Sequence, residues 1–120
     1  MIVDIHSYND QPDEYRIHAG KLLPDVCIGT HSVHSPAILT DTAARIFSEA
    51  GFKVERNTPF TGVYIPVEFE MNAKVLGIMF EVRGDLLAEG SESAERAAAA
   101  LAEVIREAEA IANTEMGRPH

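Results

Sequence analysis

Two short segments place ionisable side chains where a buried strand would ordinarily be apolar. In Asp4-Ile5-His6-Ser7-Tyr8 an imidazole ends the apolar run Ile2–His6, and in Phe80-Glu81-Val82-Arg83 a carboxylate sits late in Lys74–Val82, the most apolar segment of the chain. An imidazole offers a lone pair to a metal ion, and a carboxylate moves protons. Strand alternation sends Asp4 to the face of His6, and Arg83 to the face of Glu81. Plainer readings stand beside these. A histidine ending a strand is commonly satisfied by its neighbours, and Glu81 with Arg83 could be an ion pair at a sheet edge. A carboxylate buried between Phe80 and Val82 costs roughly several kcal/mol unless it is paired. Neither segment decides the matter alone.

Other chemistry-bearing residues give weaker signals. His31 and His34 form H-x-x-H in GTHSVHSP, a spacing that chelates a metal if the loop turns tightly and otherwise leaves two exposed histidines. Cys27 is the one cysteine, so it forms no disulfide within the chain, and its apolar setting in Val26-Cys27-Ile28 reads as a buried thiol.

The elements that must position these residues follow a β-loop-β-α-β-loop-β-α order. Ile2–His6 reads as a strand, 7–24 as a long loop with a short extended piece near Tyr15–Ile17, and Asp25–Gly29 as a second strand. Ser35-Pro36 opens a helix, serine as its cap and proline in its first turn. A stripe of Ile38, Thr42, Ile46 and Ala50, flanked by Leu39, Ala43 and Phe47, runs to the stop at Gly51. Phe52–Arg56 is a strand, Asn57–Pro66 a rigid loop with two prolines and a glycine, and Lys74–Val82 a central strand. The alanine-rich stretch 91–112 is a helix whose expected inner face is Ala94, Ala97, Ala98, Leu101, Ile105, Ala108 and Ala112; the tail after Asn113 frays. Strands alternating with helices predict an α/β fold, a small mixed or parallel sheet with flanking helices. Ligands in such sheets gather beyond the carboxyl ends of strands, where His6 and Glu81 fall.

At 120 residues the chain suits one domain, 1–120. Ten Lys and Arg against 19 Asp and Glu give a net charge of −9, which repels phosphate backbones and anionic lipid, so neither nucleic acid nor membrane is an expected partner. No stretch approaches a membrane-spanning length, the N-terminus has no signal-peptide pattern, and the expected compartment is the cytoplasm.

Four motifs in order carry a resemblance. IVDIHSYND resembles the Asp-x-His-Ser motif of the N-formylglutamate amidohydrolase family and the Ile-His-Ser-Tyr strand of zinc carboxypeptidases. PDVCIGTHSVHSP is similar to the family's Asp-(Ile/Val)-Cys-Ile-Gly-Thr stretch, RNTPFTGVYIP to its Asn-x-Pro-Phe-x-Gly-x-Tyr loop, and GIMFEVRGDLL to the strand bearing Glu-(Ile/Val/Leu)-Arg. They span about residues 2–88, and the ordered set is far more specific than any one motif. The resemblance implies a zinc-carboxypeptidase-like half domain that hydrolyses the formyl or a similar amide of an acidic amino acid. It implies zinc as cofactor with His6 as a ligand, Asp4 orienting His6, Glu81 as general base and Arg83 steadying the carbonyl oxygen or a substrate carboxylate. Asn57, Tyr64 and His34 would contact a small carboxylate substrate. The family more commonly carries Asp at the position of His31, where this sequence departs.

The family's other two zinc ligands, a histidine and an acidic residue, lie well before the Asp-x-His-Ser strand, and no H-x-x-E occurs in this sequence. Catalytic zinc ordinarily takes three protein ligands. The expectation is therefore an incomplete metal site, completed by a second chain or a homo-oligomer, or rebuilt from His31 and His34. The alternative function is a catalytically incomplete remnant that binds a small carboxylate or a protein.

Overall fold

The computed structural model describes residues 1–8, 17–18, 21–22, 24–58 and 60–116. Its strands are β1 (Ile2–Tyr8), β2 (Ile17–His18), β3 (Lys21–Leu22), β4 (Val26–Gly29), β5 (Val54–Arg56) and β6 (Gly77–Arg83). The helices are α1 (Ala37–Glu49) and α2 (Glu92–Ile111), with single 3-10 turns at Val67–Phe69 and Gly84–Leu87 and a π-helical turn at Ala112–Met116. β2 and β3 form a small antiparallel ladder, and the other four strands form one sheet ordered β1-β6-β4-β5. β1 runs parallel to β6, β6 antiparallel to β4, and β4 parallel to β5. The fold is α/β, a small mixed sheet with flanking helices, as the alternation of strands and helices predicts.

Period-2 alternation gives this sheet two unlike faces. Val26, Ile28, Ile78, Phe80 and Val82 point to one side and are buried with Leu39, Ala43, Ile46 and Phe47 of α1 and Ala97, Ala100, Val104 and Ala108 of α2. Phe80 is the hub of this core: it is fully buried, and its ring centroid lies 5.1 Å from that of Phe47. The opposite face carries Asp4, His6, Glu81, Arg83 and Cys27. β6 is central, and β1 and β5 are the edges among the described residues.

Several local expectations are corrected. Ser35 does not cap α1. Pro36 holds the cap position without a side-chain bond; the Ser35 hydroxyl donates to Gly77 O and accepts from His31 N–H at 2.9 Å. The inner face of α1 is centred on Leu39, Ala43, Ile46 and Phe47, and Ile38 is 48% exposed. That of α2 is Ala97, Ala100, Val104, Ala108 and Ile111, with Ala98 exposed. Alanine lies on every side of this helix, so the packing partner rather than the pattern selects the face. α2 begins as a well-capped helix should: Ser91 Oγ accepts from Ala94 N–H at 3.1 Å, and Glu92 and Glu95 sit in the first turn. Tyr15 and Arg16 of the expected extended piece lie outside the described residues. Among the described residues no helix is long and apolar enough to cross a membrane.

Removing the Phe80 ring should cost about 3–5 kcal/mol. Urea unfolding of Phe80→Ala against the parent chain measures this as a fall in midpoint at unchanged slope.

Candidate functional site

The site is a single cross-strand row. Register sets His6 of β1 opposite Glu81 of β6, and Glu81 opposite Cys27 of β4. Paired positions on neighbouring strands lie about 4.8 Å apart on the same face, so imidazole, carboxylate and thiol stand side by side. One step earlier, Asp4 pairs with Met79 and Met79 with Gly29. Above these rows lies an open cleft of about 470 Å³, floored by Asp4, His6, Met79 and Glu81 and walled by residues 60–64.

Asp4 organises the β1 side. Its Oδ1 lies 2.8 Å from His6 Nε2, and its Oδ2 accepts the Tyr64 backbone N–H at 3.2 Å. With the proton on Nε2, facing the carboxylate, His6 keeps its lone pair on Nδ1. That is the arrangement in which a carboxylate fixes the tautomer of a ligating or basic imidazole. Glu81 is partly buried. Desolvation raises its pKa above the ordinary 4.5; His6 opposes the rise, and the negative charge of Asp4 adds to it. Cys27 is wholly buried, and its thiol donates to Phe60 O at 3.1 Å. Burial, first among the causes, pushes its pKa up as well, so it stays a thiol beside Glu81.

The wall comes close because two glycines allow it. A Cβ on Gly29 would lie 2.3 Å from Gly62 O and 2.5 Å from Met79 Cε, and Gly62 itself has φ +87°. Asn57 fixes the base of the wall. It adopts a left-handed conformation, φ 55°, which asparagine tolerates better than most residues. Its Oδ1 accepts from Thr30 N–H and the Thr61 hydroxyl, both at 3.0 Å, and its Nδ2 donates to Thr30 Oγ1 at 2.9 Å.

Of the residues singled out in the sequence, the structure brings His6, Glu81 and Tyr64 together at the cleft, Tyr64 with a 72% exposed side chain. Asn57 lies behind the wall rather than on the cleft surface. Arg83 shares the face of Glu81 but points its guanidinium away to two carboxylates, pairing with Asp85 at 2.5 and 3.2 Å and with Asp25 at 3.0 Å. Tyr8 lies nearby, its hydroxyl bonded to Pro24 O and its ring 5.3 Å from Phe60. Burial pushes its pKa up to about 12, so it stays a neutral phenol.

His34 is fully buried and does not line the cleft. Its Nδ1 donates to Val75 O at 2.7 Å, and its backbone O accepts Gly77 N–H at 2.8 Å. With the Ser35–Gly77 bond, these contacts latch the H-x-x-H turn to the start of β6. His31 Nδ1 accepts Val33 N–H at 3.0 Å, which occupies the one acceptor lone pair of the neutral ring, and the ring lies 4.7 Å from that of His34. Sequence reasoning missed Gly29, Met79, Phe60 and the backbone of residues 61–63. The only signal for them was the glycine in each of two distant segments.

The site is thus a cleft on the uncovered face of a small mixed α/β sheet, with a carboxylate and an imidazole on neighbouring strands under a loop wall. The family model for N-formylglutamate amidohydrolase matches residues 1–88, and the chain belongs to that family. No curated protein matches it. The chain is similar in fold to the crystal structure of N-formylglutamate amidohydrolase from Ralstonia eutropha JMP134, with a TM-score of 0.68 at 22% identity over 91% of this chain and 42% of that one. It is also similar to the crystal structure of a gene product of Agrobacterium tumefaciens, with a TM-score of 0.52 at 21% identity over 94% of this chain and 43% of that one. The chain thus spans less than half the length of either structure.

Two predictions follow from the wall and the carboxylate. Gly29→Ala forces the wall or Met79 to move and should destabilise by about 1–3 kcal/mol, read as a lower urea midpoint. Because folding raises the pKa of Glu81, the native state binds more protons than the unfolded one between the two values, and stability falls as pH rises through that window. Glu81→Gln should therefore be more stable than the parent at neutral pH, an advantage that disappears below the unfolded-state pKa. Thermal melts across pH 3–8, a span of about five units around the ordinary carboxylate range, measure the difference.

Proposed function

We propose that this cleft hydrolyses a small amide, of the N-formyl type on an amino acid, with Glu81 as the general base. The observation carrying the proposal is the row His6–Glu81, which puts a partly desolvated carboxylate beside an oriented imidazole on the open face. Family membership over residues 1–88 supports the same reaction class.

In the proposed step Glu81 takes a proton from a water as its oxygen attacks the amide carbon. The tetrahedral intermediate collapses, the C–N bond breaks, and Glu81 returns the proton to the leaving amine; formate and the free amine are the products. A raised pKa suits both halves, since the group must accept and then release a proton near neutral pH. Tyr64 and the 60–63 backbone would form the side of the cleft against which the acyl group lies. Arg83, neutralised by Asp25 and Asp85, would shape the rim beside Tyr8. A carboxylate on the substrate is the family's expectation for the amine half.

The family implies zinc. One chain offers the free Nδ1 of His6 and the oxygens of Glu81, whereas both Asp4 oxygens are already engaged. Among the described residues no three His, Cys, Asp or Glu side chains form a group that could hold a metal ion. The donor set does not fit a three-ligand site, and no step is routed through the metal. That shortage favours the second reading, a module that binds a small carboxylate without turnover.

Formate release from N-formylglutamate separates the two. The hydrolase reading expects turnover that falls about 10²-fold or more in Glu81→Gln, with an acid limb set above the ordinary carboxylate range because Glu81 must be ionised to act. Equal rates in the two proteins would remove Glu81 from the reaction. Saturable binding of glutamate by the parent chain with no formate released would establish the binding module instead.

A further inference from the structure

The cleft is open at one end and closed at the other, and Met79 lies at the closed end. Glu81 stands in the cross-strand row His6–Glu81–Cys27, and Met79 in the next row, Asp4–Met79–Gly29. Two residues apart on one strand, Met79 and Glu81 share the cleft face. Met79 is 4% exposed, whereas His6, beside Glu81 at the β1 edge, is exposed. The course of the wall accounts for the difference. It touches Gly29 at Gly62 and Asp4 at Tyr64, the two ends of the Met79 row, and leaves the His6 end free.

The Met79 side chain plugs the closed end. A Cβ on Gly29 would meet Met79 Cε and Gly62 O together, so the methyl group and the wall lie against each other over the bare glycine. Glycine at 29 thus makes room for a long side chain at 79 on the neighbouring strand. One row further, a Cβ on Gly77 would lie 2.9 Å from Ile65 Cδ1 and 3.5 Å from Val63 Cγ1. Apolar side chains of the wall therefore close the cleft behind Met79. Methionine suits such a position, because an unbranched, polarisable chain fills an irregular gap.

A cleft of this shape sorts the two halves of an amide by size. The scissile carbon must lie over Glu81, within reach of the water that Glu81 activates. The amine half carries the bulk of an N-acyl amino acid and has room toward the open His6 edge. The acyl half then points at Met79, where a formyl hydrogen fits against the thioether and a longer acyl chain collides with it. We propose that Met79 is a specificity-determining residue, which limits the acyl half of the substrate to the one-carbon formyl group by closing the cleft beside Glu81. The reaction rests on the amide-hydrolase reading above; the contact between Met79 and the acyl group is a matter of binding and is measured without turnover.

Two measurements on the full chain test this. In the first, formate release from N-formylglutamate and acetate release from N-acetylglutamate give a ratio of kcat/KM values. The parent chain should favour the formyl compound by about 100-fold, within the range that one methylene commands in a tight pocket. Met79→Ala should reduce that preference to about 10-fold or less, through faster turnover of the acetyl compound, and Met79→Leu, of similar volume, should keep it. In the second, Glu81→Gln with isotope-labelled methionine methyl groups is titrated with each compound and followed by NMR. The signal that Met79→Leu removes identifies Met79; N-formylglutamate should shift it, and N-acetylglutamate should bind about 10-fold more weakly or worse. Where Met79→Ala loses its circular dichroism, this titration decides alone. An unchanged ratio in folded Met79→Ala, equal turnover of both compounds by the parent chain, or an unmoved Met79 signal at saturation while the parent releases formate would each overturn the proposal and spare the hydrolase reading. A shifted Met79 signal with no formate released would overturn the hydrolase reading and leave the acyl pocket, and neither binding nor turnover would end both.

Discussion

Everything at the cleft depends on a carboxylate held late in the central strand. β6 is hydrogen-bonded on both sides, so Glu81 cannot withdraw to solvent without disrupting two ladders, and its neighbours Phe80 and Val82 are locked into the helix-covered core. Burying apolar side chains at alternate positions 78, 80 and 82 thus fixes the ionisable one at 81 on the opposite face. Desolvation raises its pKa, and His6 on one flank and the neutral Cys27 thiol on the other do not cancel the rise. A protein gains nothing in stability from such a group at neutral pH. The proton-transfer role proposed for Glu81 supplies a reason for its presence that folding does not.

The second constraint is the wall. Residues 60–64 have no ladder of their own, yet they approach the sheet closely enough to define a cleft. Three devices hold them: the Cys27 thiol on Phe60 O, the Asp4 carboxylate on Tyr64 N–H, and the Asn57 side chain bridging Thr30 and Thr61. One of the three, Asp4, begins on the floor of the cleft itself, and Cys27 stands beside Glu81 on the same face. Asp4, which adds to the electrostatics around Glu81, therefore also sets the width above it, and a change there acts on both. One of its oxygens orients His6 while the other fixes the wall.

The sequence made the floor legible and left the wall obscure, for a physical reason. Polar residues inside apolar strands stand out against a period of two, so Asp4 could be placed with His6, and Glu81 with Arg83, from the sequence; the register that joins the two pairs on one face comes from the fold. The wall depends on Gly29 meeting Gly62, a contact between segments more than thirty residues apart that leaves no periodic trace. Arg83 shows the same limit. Parity put it correctly on the face of Glu81, but its partners Asp25 and Asp85 come from the end of a neighbouring strand and from a turn, so its direction could not be read. From spacing alone the H-x-x-H turn reads as a chelate or as two exposed histidines; in the fold His34 is fully buried and bonded to Val75 and Gly77, so it is not one of two exposed histidines. In α2 the uniform alanines carry too little contrast to choose a face.

The position of the site in the sheet explains why fold and chemistry are hard to separate in this chain. A carboxylate in a central strand needs a neighbouring strand to bring it a base or a ligand, and here that neighbour is β1, an edge. An edge strand gives His6 its exposure, but among the described residues it leaves three outward backbone positions without partners. Unpaired edges are ordinarily blunted by charge or bulges, whereas the charges on β1 serve the cleft: Asp4 and His6 bond each other rather than repelling an incoming strand. The side chains that make β1 chemically useful are thus the ones that fail to protect its edge. Whatever occupies that edge changes the environment of His6 and, one strand away, that of Glu81.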